Sequence, residues 1–438
     1  MGDMEDMHLD EATLARLLTE ANEDWLRLLL HELAQCGPCR GVGGYILDLY
    51  QNGALKIPFG IGDLALARSR MDAPRLWAEL EGLPFLEARR LVQADPRFAS
   101  WGLCELLCRE SKNAAADQAA RSVELGETAV LLADLLDENG PIEDRWVYQL
   151  RAFAWAHLGN AHRVMGDLRR GEEAFSSAEV WWQTGETVGD ALGYGPVILD
   201  LKASLRIAQR RFPEAMELLS EVIEAYTERD PEFRDLHLAG RAMLQKALAM
   251  GQMGAPESAI RLLREAREFV DPVREPRLLF CLDHNLLASL TSAGRYKEAA
   301  AFLPEVERVR REVASELDGF RVRWIEARIA LGLEQRERSR SAFEEVRRAL
   351  MEREMGYDAA LVSLELAALS LEEGRTAEVK DLAREMVAIF RAQGVSREAL
   401  AALLMFRRAA VQERATAELA RKVAEFLGRA RHEPGLRF

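Results

Sequence analysis

Apolar residues recur every three or four positions along most of this chain, in stretches separated by short polar breaks. No stretch shows the strict alternation of a half-buried strand, so the pattern predicts an all-α protein. It is clearest from Trp155 to Ala178, W-A-H-L-G-N-A-H-R-V-M-G-D-L-R-R-G-E-E-A-F-S-S-A. Two amphipathic stretches flank a Gly166-Asp167 break there. Each predicted helix therefore has one stripe for its partner and a second face for a neighbour. Large residues stand where one helix packs on the other, and small ones where two backbones must approach closely.

The unit repeats. Positions in the middle of successive second helices are Gly171, Ala215, Ala259, Ala299, Ser339 and Val379, separated by 44, 44, 40, 40 and 40 residues. A turn precedes each, as in Gly166-Asp167-Leu168, Gly254-Ala255-Pro256, Gly294-Arg295-Tyr296 and Gly374-Arg375-Thr376. Glycine at the first of these positions supplies the left-handed conformation between helices. Arg210 replaces it before Ala215, and the turn before Ser339, L-E-Q-R-E, lacks it too. Ala116–Asp137 reads as the second helix of a further repeat in front, leaning on a helix around Trp101.

Trp155, Leu158, Gly159, His162, Gly166, Gly171, Phe175 and Ala178 fall on the positions that define a tetratricopeptide-type helix pair, and the stretch resembles that family. His162 stands where an aromatic is usual, and Gly171 where alanine is. The resemblance implies a right-handed superhelical array of helix pairs, with a concave face built mainly by first helices and free for recognition. A period of 40 to 44 residues exceeds the family's usual ~34, so each helix should be longer, about 15 to 20 residues. Long-helix repeats of this kind resemble the tetratricopeptide halves of bacterial regulators that bind peptides or partner proteins.

The expected division is a helical head in 1–60, connecting helices and a first repeat in 61–138, repeats in 139–395, and capping helices with a tail in 396–438. In the second segment Pro84 splits two short helices or starts the second. Cys104 and Cys108 lie four apart in an apolar stripe with Leu103, Leu106 and Leu107, as core thiols would.

The head carries the candidate chemistry. A helix starting near Asp10 stops at Cys36-Gly37-Pro38-Cys39, within H-E-L-A-Q-C-G-P-C-R. Two thiolates and an imidazole supply three of zinc's four tetrahedral ligands. On a continuous helix His31 and Cys36 would be about 140° out of register, so they converge only if the helix ends first. This segment resembles the zinc-binding head of bacterial anti-sigma factors, although the spacing from His31 to Cys36 is one residue longer than that family's commoner one. The resemblance implies His31, Cys36 and Cys39 as metal ligands, zinc as cofactor and a sigma factor as partner; His8 is the only His or Cys upstream. Two other readings stay open, a structural thiol pair and a redox Cys-Gly-Pro-Cys.

A net charge of −14 argues against general affinity for nucleic acid or an anionic membrane. The acidic M-G-D-M-E-D-M-H start has no signal-peptide order, and no long apolar run reads as a membrane span. Five cysteines, an odd number, point to a reducing cytoplasm. No Gly-x-Ser-x-Gly, phosphate loop or His-Glu-x-x-His occurs, since residue 35 is Gln. His157 and His162 read as satisfied helix histidines, and Asp283 and His284 beside Cys281 as neighbours on different faces. Arg308 to Arg311 reads as a solvated face. Trp181 and Trp182 are the aromatic anchors a partner would use, with helix packing as the competing account. The sequence thus predicts a cytoplasmic, non-enzymatic scaffold or regulator for a protein or peptide partner, with a homo-oligomer also open. The alternatives are a self-assembling structural protein and a thiol-disulfide oxidoreductase using Cys36 and Cys39.

Overall fold

The structure, a computed structural model, describes residues 61–115, 117–136, 144–185, 193–228, 235–313, 315–392 and 397–430. The His31, Cys36 and Cys39 cluster lies outside the described residues. The described elements are eighteen α-helices and one 3-10 turn. They are α1 (Ile61–Leu80), α2 (Phe85–Ala94), α3 (Trp101–Ala114), α4 (Ala119–Leu135), α5 (Asp144–Val164), α6 (Leu168–Gly185), α7 (Tyr194–Ala208), α8 (Phe212–Thr227) and α9 (Leu236–Gln252). The remainder are α10 (Pro256–Phe269), α11 (Pro276–Ser292), α12 (Tyr296–Val313), α13 (Glu316–Gly332), α14 (Arg336–Glu352), α15 (Gly356–Glu372), α16 (Thr376–Ala392), α17 (Arg397–Val411) and α18 (Ala417–Ala430). No strand occurs among the described residues, and the chain is an all-α array of tetratricopeptide-like helix pairs.

The turns inside the pairs show why the sequence repeats as it does. Gly166, Arg210, Gly254, Gly294, Glu334 and Gly374 all have left-handed backbones, with φ of 88°, 60°, 79°, 73°, 60° and 75°. At each, the next residue's N–H reaches the carbonyl five residues back: Asp167 to His162, Arg211 to Arg206, Ala255 to Met250, Arg295 to Leu290, Gln335 to Ala330, and Arg375 to Ser370, at 2.8–3.0 Å. That residue's own carbonyl then accepts the first bond of the following helix. One left-handed residue thus closes one helix and opens the next. The position keeps its geometry where glycine is absent.

Five residues after each turn comes the small position of the second helix. Gly171, Ala215, Ala259, Ala299, Ser339 and Val379 are all buried, because a first helix crosses there. Gly159 shows how tight that crossing is: a Cβ on it would lie 2.8 Å from the Phe175 ring and 3.3 Å from the Gly171 carbonyl oxygen. Helix starts are fixed locally. Pro256 and Pro276 occupy first-turn positions, and Ser315 and Asp318 form a reciprocal capping box on α13.

The chain divides into two compact units, Met1–Val222 and Ile223–Phe438. In the first unit α1 packs on α3 and α2 on α4, as α3 packs on α5, so the segment in front of the sequence-evident repeats stacks like a repeat itself. Pro84 immediately precedes α2. Ser69 and Arg70 of α1 press so closely on Gly102 that a Cβ there would lie 2.3 Å from the Ser69 carbonyl oxygen. Cys104 and Cys108 are buried, and Cys104 Sγ donates to the Ala129 carbonyl. Its contact with Cys108, together with burial, pushes the Cys104 thiol up.

In the second unit α9/α10, α11/α12, α13/α14 and α15/α16 stack in register. Ion pairs tie successive second helices together: Arg267 to Glu305, Arg340 to Glu378 and Arg347 to Glu385. The end departs from the pattern. Helix α17 packs on α16, but α18 packs on α15, so the last helix takes the place beside a first helix. Tyr357 Oη donates to the Leu427 carbonyl at 2.6 Å to hold it there.

Candidate partner-binding faces

The two units present different first-helix surfaces. In the first, that surface is filled by its own side chains. Trp101 Nε1 of α3 donates to Tyr194 Oη of α7 at 3.0 Å and to Glu105 Oε1 at 3.3 Å. Tyr194 Oη donates in turn to Glu105, whose carboxylate also takes both Arg70 Nε and Nη2 of α1 at 2.7 Å. Phe153 of α5 lies beneath, its ring 4.3 Å from that of Tyr194 and 4.5 Å from His157. Burial and the Glu105 charge push the Tyr194 phenol well up. The hydrogen-bonded network joins α1, α3 and α7 around the Glu105 carboxylate, with Phe153 of α5 stacked on it.

His157 corrects a sequence expectation. It is buried as a packing residue should be, but among the described residues neither ring nitrogen has a hydrogen-bond partner. Burial, with a smaller push from Lys112, lowers its pKa to about 3, so the ring is neutral.

Trp181 is half-buried on α6. Its ring stacks on Tyr148 at 5.8 Å, and the Arg151 guanidinium sits 4.9 Å from its centroid. Both Trp181 and Trp182 pack against the first unit's core, while Val180 beside them is exposed. The structure does not bring either tryptophan to the clasp residues.

In the second unit the first-helix surface is open. A groove of about 410 Å³ runs between α9 and α11, lined by Leu248, Gln252, Asn285, Ala288, Ser289 and Ser292, with Leu263 of α10 among its deeper contacts. No charged side chain lines it. Asn285 Nδ2 is spent on the Cys281 carbonyl at 2.7 Å. Among the described residues, Asn285 Oδ1 and the Gln252, Ser289 and Ser292 side chains make no hydrogen bond. Sequence reasoning missed these residues because an open face imposes no periodic pattern.

Toward the N-terminal ends of the same helices, charges cross-link one first helix to the next. Glu275 takes His237 at 3.2 Å and Arg241 at 3.5 Å. Asp318 takes Arg277 at 2.6 Å and Arg321 at 3.4 Å. Burial works against the ionised Asp318, but Arg277 and Ser315 outweigh it and hold the carboxyl well below its usual range. On the next helix Trp324 Nε1 and Arg328 both donate to Glu365.

A second groove, of about 580 Å³, opens between α10, α11 and α12, lined by Arg264, Arg267, Glu268, Leu286, Phe302 and others. Arg267 Nε there reaches Asp283 at 2.7 Å. Asp283 is fully buried, its Oδ2 without a hydrogen-bond partner among the described residues, and burial raises its pKa against the pull of Arg267. Cys281 and His284 are half-buried, and at i, i+3 they share one helix face, which corrects the expectation of different faces.

No protein-family model matches the chain, and no curated protein matches it. Several solved structures are similar to it in part. Aspartyl phosphate phosphatase F from Bacillus subtilis shares 10% identity at a TM-score of 0.48, over 87% of this chain and 95% of that one. The apo form of RapI shares 11% identity at 0.48, over 86% and 97%. A Podosopora anserina protein with nearly identical TPR-like repeats shares 19% identity at 0.35, over 51% and 96%. The class is that of tetratricopeptide-like helical-repeat proteins, and it rests on this chain's own helix pairing. No helix among the described residues is long and apolar enough to cross a membrane.

Proposed function

We propose that this chain is a non-catalytic interaction protein that holds a protein or peptide partner on the first-helix face of its second unit. The observation that carries this reading is the uncharged groove between α9 and α11. Helical-repeat folds bury one set of positions to build the array and leave first-helix positions free for recognition. Here those free positions hold unspent hydrogen-bonding groups around an exposed leucine. A photo-crosslinking residue at Ser289 should capture a polypeptide in cells, whereas the same residue at Glu344, exposed on second helix α14, should not. Absence of any polypeptide cross-linked from Ser289 would refute the reading.

The finer reading is an anti-sigma-like bacterial regulator. It rests on His31, Cys36 and Cys39, which would hold zinc to fix the helix leading into them, with a sigma factor as partner and Trp181 and Trp182 as additional anchors. Native mass spectrometry of protein purified without chelator tests the metal. One zinc per chain, lost in a Cys36→Ser/Cys39→Ser variant, supports it, and no zinc in either sample rules it out.

A further inference from the structure

The proposed partner face has a charge pattern that specifies what kind of peptide it fits. Arg241, Arg277 and Arg321 lie toward the N-terminal ends of α9, α11 and α13, with side chains 39%, 45% and 53% exposed. Among the described residues two carboxylates pair with them, Glu275 at 33% exposed and Asp318 at 4%, while Asp235 and Glu316 at the same helix ends are paired with Arg274 and Arg353. The charge turned to solvent is therefore positive, on a chain whose net charge is −14. Arg241 and Arg321 hold the same register position two 40-residue repeats apart, and Arg277 stands one turn earlier on the helix between them.

The uncharged groove lies further along the same helices. Leu248 and Gln252 follow Arg241 at i+7 and i+11, and Ala288 and Ser292 follow Arg277 at i+11 and i+15, so each set shares one helix face. At about 1.5 Å per residue, Leu248 and Ala288 lie roughly 10–17 Å along the helices from Arg241 and Arg277. An extended peptide covers that distance in about three to five residues at ~3.3 Å each.

From this juxtaposition we infer that the occupant is an acidic peptide segment: one or two carboxylates against Arg241, Arg277 and Arg321, then, three to five residues away, an uncharged apolar side chain seated on Leu248 and Ala288. Gln252, Asn285 Oδ1, Ser289 and Ser292 take up the backbone amides around that anchor. The inference rests on the proposed partner-binding function and assigns its ligand class. Charge complementarity supplies steering and register, and the neutral groove supplies the buried anchor.

Panning the full chain with a random peptide display library tests both levels. Recovered peptides should pair Asp or Glu with Leu, Ile or Met at that spacing. They should lose affinity tenfold or more for an Arg241→Gln/Arg321→Gln variant, weaken with added salt, and fail to bind Ser289→Trp, which fills the groove. Circular dichroism melts show whether each variant is folded. Peptides that are blocked by Ser289→Trp but are basic, or indifferent to the arginine substitutions, overturn the acidic-ligand inference and leave the binding face standing. Peptides indifferent to Ser289→Trp, or none recovered, overturn both.

Discussion

Glu334 offers a clean measurement of what the left-handed turn position costs. It holds φ of 60° in the turn from α13 to α14, where Gly294 and Gly374 serve one repeat before and after. Its side chain is exposed and makes no hydrogen bond or ion pair among the described residues. The bonds that shape the turn are made by its neighbours, such as Gln335 N–H to the Ala330 carbonyl at 2.9 Å. Glu334→Gly therefore removes a Cβ from a left-handed backbone and little else. Relief of the steric conflict is worth about 1–2 kcal/mol. Glycine's greater freedom in the unfolded chain takes back about 0.4–1 kcal/mol. The balance is a stabilisation of roughly 1 kcal/mol, which for a body of this size raises Tm by about 2–4 °C. The reciprocal change, Gly294→Glu, should lower it comparably. Because helical repeats can unfold in parts, thermal melts should be paired with hydrogen exchange of the α13 and α14 amides. A Glu334→Gly protein no more stable than the parent, with Gly294→Glu equally neutral, would refute the strain argument.

Three further outcomes follow from buried contacts. His157 has a folded pKa of about 3, against about 6.5 in the unfolded chain, so its contribution is complete above pH 6.5 and is lost as pH falls toward 3. At pH 5 the loss is roughly 2 kcal/mol, and urea midpoints should show a His157→Leu variant losing that much less between pH 7.5 and 5; an unchanged pH slope would disprove it. Gly159→Ala should cost about 1–3 kcal/mol, because the new Cβ meets the Phe175 ring at 2.8 Å; a melt within 1 °C of the parent would contradict it. Ser363 accepts from Arg347 as Asp283 accepts from Arg267 two repeats earlier, so Asp283→Ser should leave stability at pH 7 equal or higher, while Arg267→Ala should cost about 3 kcal/mol by stranding the buried carboxylate; the reverse order in denaturant would sink this.

What the sequence disclosed and what it hid divide along one physical line. A position that packs against a neighbouring repeat must be small or apolar in every repeat, so it recurs, and Gly171 through Val379 could be found by spacing alone. The same spacing located the left-handed turns at Arg210 and Glu334 although neither carries the glycine that would mark them. Helix hairpins with their own termini fixed by local caps tolerate one strained residue, so register outweighed residue type. Contacts made once leave no such trace. Trp101 and Tyr194 are 93 residues apart in sequence and meet at a single carboxylate, and the exchange that sets α18 rather than α17 beside α15 happens at one end only. Recognition belongs to this second kind. The groove residues Asn285, Ser289 and Ser292 are free to differ from their counterparts in other repeats because no neighbour packs on them, which is why they could take on a ligand and why periodicity could not find them. The first-helix face is therefore where specificity should be sought, and the two units use it in opposite ways. In the first, Arg70, Glu105 and Tyr194 bind α1, α3 and α7 together across it, and in the second it stays open to solvent. A partner that engages the open face has unspent hydrogen-bonding groups to meet, whereas one directed at the clasped face would first have to replace the bonds that Arg70 and Tyr194 now give to Glu105.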